Sequence, residues 1–231
     1  MKDQDVKINI AIDGPAGAGK STVARKVADA LGYIYVDTGA MYRAVTWTAL
    51  QQNLKPDDLE QLIQLVRNLE IHFIPGGNGQ QVIVNGADVT HDIRSAEVNK
   101  HVSYFSQVKE VRELLVHRQQ DMALTYKGVV MDGRDIGTRV LPDSELKVFL
   151  TASVHERAER RFKELTGHQP NITLDQLKME IAGRDELDEN REISPLIQAN
   201  DAILLDCTNM SISEVVEQIL KLWRTIMDEA K

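Results

Sequence analysis

Ile10-Ala11-Ile12-Asp13-Gly14-Pro15-Ala16-Gly17-Ala18-Gly19-Lys20-Ser21-Thr22 decides how the rest of the chain is read. Residues Gly14 to Ser21 spell G-x-x-x-x-G-K-S, the pattern of a phosphate-binding loop. Its flanks agree. Ile8 to Ile12 have the apolar, β-prone character of a buried strand. Val23 to Leu31 then carry apolar residues at helical spacing. A loop between such a strand and such a helix aims several backbone N–H groups at one point. Gly14, Gly17 and Gly19 let the main chain wrap closely around phosphate oxygens. The helix N-terminus adds about half a positive charge there. Lys20 is expected to reach the β- and γ-phosphates of a nucleotide and Ser21 to hold Mg²⁺. A glycine-rich turn without a ligand is the competing reading, and strand, complete motif and helix in succession count against it.

The chain has 231 residues, enough for one large domain or a domain with an insertion. Its one cysteine, Cys207, rules out an internal disulfide and fits a reducing cytoplasm. No apolar run approaches the ~18 residues of a membrane span. Residues 1–7 are polar and mixed in charge, unlike a signal peptide. The net charge of −8 and pI of about 5.3 disfavour a large nucleic-acid surface. Arg157, Arg160, Arg161, Arg184 and Arg191 nevertheless crowd one stretch, which in an acidic protein points to local handling of small anions.

Outward from the loop, Tyr33 to Val36 read as a second short strand ending in Asp37-Thr-Gly-Ala-Met-Tyr-Arg43, and Ala44 to Gln52 as a helix. This is βαβ order, which implies a parallel sheet with right-handed crossovers. Leu59 to Leu69 return to helical spacing after Pro56. The texture then changes. Ile71 to Ile74 and Gln81 to Val84 read as antiparallel strands around a Pro75–Gly79 turn, and Asn85-Gly86 is a tight-turn pair. Helices are expected from Ala96 onward and over Val108 to Tyr126. Parallel order resumes with strands at Gly128 to Met131, Leu146 to Leu150 and Ala202 to Leu205, charged helices between the last two, and a closing amphipathic helix over Ser211 to Met227. The fold class expected is α/β. It comprises a five-stranded parallel sheet with helices on both faces, an inserted antiparallel β-rich subdomain and a short helical lid. The single domain would divide into a core (residues 1–66, 107–156 and 193–231), the insert (67–106) and the lid (157–192), with Thr166 to Pro170 as a hinge.

Three further clusters suggest chemistry. Asp132 ends an apolar strand, where a second acid orienting Mg²⁺ belongs in this architecture, though a strand-end turn aspartate would look the same. Arg134 and Asp135 follow it on the carboxyl edge of the sheet, where open α/β sheets bind ligands. Thr38, Tyr42 and Arg43 follow the second strand. Arg43 suits a second phosphate through its bidentate fork, or else decorates a solvated helix start. Arg184, Asp188 and Arg191, spaced i, i+4, i+7, share one face if helical. They are either surface ion pairs or a lid that lowers arginines onto a transferring phosphate. Beside a phosphate loop the lid is the better reading. The histidines show no metal-ligand spacing. Cys207 reads as a buried small hydrophobe, Trp47 and Trp223 as core or interface residues, and Asn99-Lys100-His101-Val102 as a chance likeness to a guanine reader.

Taken together, IDGPAGAGKST at 12–22, DTGAMYR at 37–43, DGRDIGT at 132–138 and RDELDENR at 184–191, with the insert, resemble the bacterial cytidylate kinases, P-loop nucleoside monophosphate kinases. The first motif is generic; the other three in that order are specific, and together they cover most of the chain. The resemblance implies that Gly14, Pro15, Ala16, Gly17, Ala18, Gly19, Lys20, Ser21 and Thr22 bind the ATP phosphates, with Mg²⁺ at Ser21 and Asp132. Arg43, Arg134 and Arg191 would hold the phosphate of CMP, with Tyr42 beside them. Thr38, Arg184 and Asp188 would hold its ribose, and Ser103, Arg112 and Asp135 would read cytosine. Arg157 and Arg160 would belong to a lid closing on ATP, too short for a zinc site. Lys20, Arg134, Arg184 and Arg191 would stabilise the transferring group.

A carboxylate such as Asp135 can accept from the exocyclic amine of cytosine, whereas uracil presents a carbonyl there. The implied partners are ATP, CMP and dCMP, with Mg²⁺ as cofactor, no nucleic acid or membrane, and a cytoplasmic monomer. The near alternative is another small-molecule P-loop kinase acting on UMP, AMP or shikimate. A regulatory GTPase would need an N-K-x-D guanine reader, and position 102 is valine.

Overall fold

A computed structural model describes residues 7–76, 79–126, 128–165 and 172–229. The Thr166 to Pro170 hinge, and residues 77 and 78 of the Pro75–Gly79 turn, lie outside these. The described residues form a five-stranded parallel sheet surrounded by helices and a three-stranded antiparallel sheet. The chain divides into two compact units, one running through Tyr35 and resuming at Ala123, the other Val36–Met122.

In the first unit the sheet is built on β1 (Ile10–Asp13), with β6 (Val129–Gly133) on one side and β7 (Leu146–Thr151) on the other, both parallel to it. β2 (Ile34–Asp37) and β8 (Ile203–Asp206) complete the order β2-β6-β1-β7-β8. Every residue of β1 and β6 is buried. A central parallel strand is covered on both faces, which is why these segments read as unbroken apolar runs rather than alternating ones. Edge strand β8 is largely exposed. Asp13 lies opposite both Gly133 and Phe149, so β1, β6 and β7 deliver their carboxyl ends to one edge.

α1 (Lys20–Leu31) buries Val23, Ala24, Val27 and Ala28 against this sheet, in a cluster with Ile10, Ile12, Val130 and Val148. Gly32 ends α1 at φ 64°, a left-handed conformation, and Tyr33 N–H then reaches back to Ala28 O at 2.9 Å. α8 (Ile212–Glu229) buries Val215 and Ile219 in the same cluster, and Trp223 Nε1 donates to the Tyr33 hydroxyl at 3.2 Å. α6 (Val154–Leu165) and α7 (Leu174–Asn190) share a smaller cluster of Ala158, Leu177 and Ile181.

The second unit packs α2 (Thr38–Gln51), α3 (Leu59–Asn68), α4 (Ala96–Phe105) and α5 (Lys109–Thr125) with β3 (Ile71–Gly76), β4 (Gly79–Val84) and β5 (Ala87–Asp88). Its core includes Met41, Val45, Leu62, Val82, Phe105 and Leu115. β3, β4 and β5 are antiparallel neighbours. Asn85 and Gly86 turn the chain at φ 49° and 84°, the two positive values that a two-residue hairpin demands.

Two elements differ from expectation. α2 begins at Thr38 rather than Ala44, because the Asp37 carboxylate caps it, accepting from Ala40 N–H at 2.8 Å. A π-helical turn, Ile136–Val140, follows β6 in a stretch to which the sequence reading gives no element. Among the described residues no helix is long and apolar enough to cross a membrane.

Candidate active site

The loop between β1 and α1 has the backbone its glycines foretell. Gly14, Gly17 and Gly19 adopt φ of 147°, 77° and 90°. At Gly14 a side chain is also excluded by contact, since a Cβ there would sit 1.9 Å from Leu150 O. The Lys20 ammonium folds over the loop and donates to Pro15 O at 2.8 Å. It is buried, and burial together with the charge of Arg134 lowers its pKa from 10.5 to about 7, against the pull of Asp132 and Asp188.

Ser21 Oγ donates to Asp132 Oδ2 at 2.9 Å, and the Tyr35 hydroxyl donates to Asp132 Oδ1 at 2.8 Å. The loop hydroxyl and the strand-end carboxylate thus share one place, and Tyr35 fixes the second oxygen. A hydroxyl beside a carboxylate is a hard-oxygen set that suits Mg²⁺. Among the described residues no three His, Cys, Asp or Glu side chains form a metal cage, so a cation here would complete its shell from water and phosphate.

The arginine cluster lies in the same unit. Arg134 Nε donates to Asp188 Oδ2 at 2.8 Å; Arg191 Nη1 stands 3.8 Å from Asp188 Oδ1 and its Nη2 3.9 Å from Asp135 Oδ1. Arg184 Nε, 4.0 Å from Asp188 Oδ2, is buried without a hydrogen-bond partner among the described residues. Burial and the charge of Arg134 lower the Arg184 pKa well below the usual guanidinium range, to about 10. The Asp188 carboxyl is buried, which opposes its charge. Arg134, Arg184 and Arg191 outweigh that and hold it below the usual carboxylate range. Arg191 is not in α7: it caps the helix at φ −65°, ψ 141°, and reaches Asp188 and Ser194 from there.

Arg157 and Arg160 face the phosphate loop from α6. Arg157 Nη1 donates to Ala16 O at 2.8 Å and its Nη2 pairs with Asp185 at 2.7 Å. Arg160 Nη2 donates to Cys207 O at 2.7 Å, with its Nη1 3.4 Å from Ala18 O. Cys207 is buried, as expected of a small apolar residue.

The other expected residues belong to the second unit. Thr38 opens α2 and is buried. Tyr42 and Arg112 meet, the guanidinium 5.0 Å from the ring centroid, while Arg112 Nη1 donates to Ser106 O at 3.0 Å. Ser103 is buried on α4. Arg43 Nη1 donates to Asn99 Oδ1. Asn99 is thus a structural partner in a stretch that resembled a guanine reader only by chance. Tyr35, Asp185 and Asp13 were not anticipated. Asp13 immediately precedes the loop, and Asp185 lies inside the charged 184–191 stretch, which are the only signals the sequence offered.

A family model for cytidylate kinase matches residues 10–225. The chain belongs to the cytidylate kinase family. Curated cytidylate kinases of Bacillus cereus (strain G9842) and Bacillus anthracis (strain CDC 684 / NRRL 3495) are each 54% identical to it, over 94% of this chain and 96% of the relative. An uncharacterised protein from Eubacterium ventriosum shares the fold, with a TM-score of 0.54 at 13% identity over 95% of this chain and 99% of that one. Membership in the cytidylate kinases makes this protein a nucleoside monophosphate kinase, a phosphotransferase that binds nucleotides.

Proposed function

We propose that the protein transfers the γ-phosphoryl group of MgATP to CMP, and to dCMP, giving ADP and CDP or dCDP. The observation that carries this reading is the crowding of Lys20, Arg134, Arg184 and Arg191. Lys20 and Arg184 are held below their ordinary basicity by burial and by Arg134. Cations packed this closely are stabilised by anions, and phosphoryl transfer brings anions of the required charge.

The backbone of Gly14 to Thr22 would take the ATP phosphates, with Lys20 on the β,γ pair. Ser21 and Asp132 would hold Mg²⁺, which when bound neutralises charge on the donor phosphates. Arg157 and Arg160 would brace the ATP side. Arg43, Arg134 and Arg191 would hold the CMP phosphate. Thr38, Arg184 and Asp188 would hold the ribose, and Ser103, Arg112 and Asp135 the cytosine, with Tyr42 supporting Arg112. The acceptor oxygen is anionic near neutral pH, so no general base is required. Catalysis is then alignment plus charge stabilisation. Closure of the lid on ATP would exclude water and suppress idle hydrolysis. The cytoplasmic monomer expected from the sequence remains part of this reading.

A coupled ADP-release assay across CMP, dCMP, UMP, AMP and shikimate tests it. CMP and dCMP should drive turnover far above the others. Arg191→Ala should lower kcat by about 10²-fold or more while ATP affinity stays near wild type. Equal turnover with shikimate, or an unchanged kcat in the variant, would remove the acceptor assignment.

A further inference from the structure

The proposed mechanism has no use for Asp13, yet few side chains in the first unit are better placed. Asp13 ends β1, directly before Gly14, and is 5% exposed. Its carboxylate accepts from Ile136 N–H at 2.8 Å and from Gly137 N–H at 2.7 Å. Those are the first two amides of the π-helical turn, groups that a helix start leaves without intrahelical partners. A buried amide without an acceptor is costly, so the turn depends on this side chain for its position.

The stretch held this way matters. On its near side Gly133 is fixed by the ladder, opposite Asp13 itself. On its far side Ile136 and Gly137 are fixed by the Asp13 carboxylate. Only Arg134 and Asp135 lie between the two anchors. Asp135 has φ −142° and ψ 26°, a conformation outside the regular helix and strand regions, which the flanking anchors hold in place. Packing leaves little slack at the far anchor, since a Cβ on Gly137 would lie 3.1 Å from Lys147 Cδ and 3.4 Å from Asp13 Oδ2.

We propose that Asp13 is a positioning residue for the acceptor nucleotide: by clamping the backbone on the far side of Arg134 and Asp135, it sets CMP affinity and the preference for cytosine. This rests on the roles given to Arg134 and Asp135 under the proposed function. The Asp13 backbone leads into the phosphate loop, while its carboxylate bonds to Ile136 and Gly137 on the acceptor side.

Asp13→Asn tests the clamp, because it keeps the size and one acceptor oxygen but sets an amide N–H₂ against a backbone N–H. The KM for CMP should rise about tenfold, the cost of one buried hydrogen bond, and the preference for CMP over UMP should shrink. The KM for ATP and the far-ultraviolet circular dichroism should stay as in wild type. A second measurement removes only a donor. The Gly137 amide N–H is replaced by an ester oxygen, with every side chain retained, and the same selective rise in KM for CMP should follow. Unchanged CMP parameters in a folded variant would overturn the proposal. So would KM values for ATP and CMP rising in parallel, the mark of general damage, in both the Asn variant and the ester protein. Wild-type protein is assayed first: a lack of CMP-dependent turnover there condemns the acceptor assignment itself, a different outcome from a normal wild type with an indifferent Asp13→Asn.

Discussion

Lys20 sits in a place that resists its charge, with its pKa lowered from 10.5 to about 7 by burial and Arg134. A triphosphate against the ammonium would reverse that shift. At a pH of about 8.5, ATP binding should therefore take up about one proton per nucleotide. Calorimetry in two buffers of different ionisation enthalpy reads this directly, and binding without proton uptake would contradict it. The neighbouring question is selectivity. Asp135→Ala should erode the preference for CMP over UMP by one to two orders of magnitude, roughly the value of a buried polar contact to the base. Undiminished discrimination would take Asp135 out of base reading. The residues visible in the sequence are those whose motif is local, such as Lys20 and Ser21. Tyr35 was not visible, because its partner Asp132 is 97 positions away and nothing near Tyr35 marks it. Asp185 stood inside the charged 184–191 stretch, but its role is set by Arg157 on another helix, which that stretch does not reveal.

Among the elements, α2 shows how a single side chain sets a boundary. Asp37 caps the helix through Ala40 N–H and also pairs with Arg94 at 3.0 Å. Asp37→Ala should cost about 1–2 kcal/mol of stability, most of it from the lost cap, since the Arg94 side chain is 51% exposed and its ion pair is weak. Urea unfolding measures this, and an unchanged midpoint would deny the cap its role. The strand–loop–helix unit, the antiparallel strands and the Asn85-Gly86 turn were legible because each has a local cause: apolar runs, positive φ, period. The start of α2 was not, because apolar periodicity begins at Ala44 whereas the cap, Asp37, acts seven residues earlier. The π-helical turn was not legible either. Its N–H groups are satisfied by Asp13, from a strand 123 positions away.

For the molecule as a whole, two buried groups pull stability in opposite directions with pH. The folded Asp13 pKa, about 6, exceeds its ordinary 3.8, raised by burial and the charge of Asp135. Between those values the native state binds more protons, so this contribution falls as pH rises. The folded Lys20 pKa lies below its unfolded one, so between about 7 and 10.5 the unfolded state binds more protons and stability rises with pH. Without nucleotide, the melting temperature should climb from about pH 7 to about pH 9, and Lys20→Met should flatten that climb. A wild-type curve without the rise, or a variant that keeps it, would contradict the assignment.

Phosphoryl transfer to CMP is tested most directly by where the terminal phosphate of ATP goes. With γ-labelled ATP, Mg²⁺ and CMP, phosphorus NMR should show the label arriving in the β-position of CDP, with inorganic phosphate a minor product. Label appearing chiefly as inorganic phosphate, or reaching UMP as readily as CMP, would contradict it.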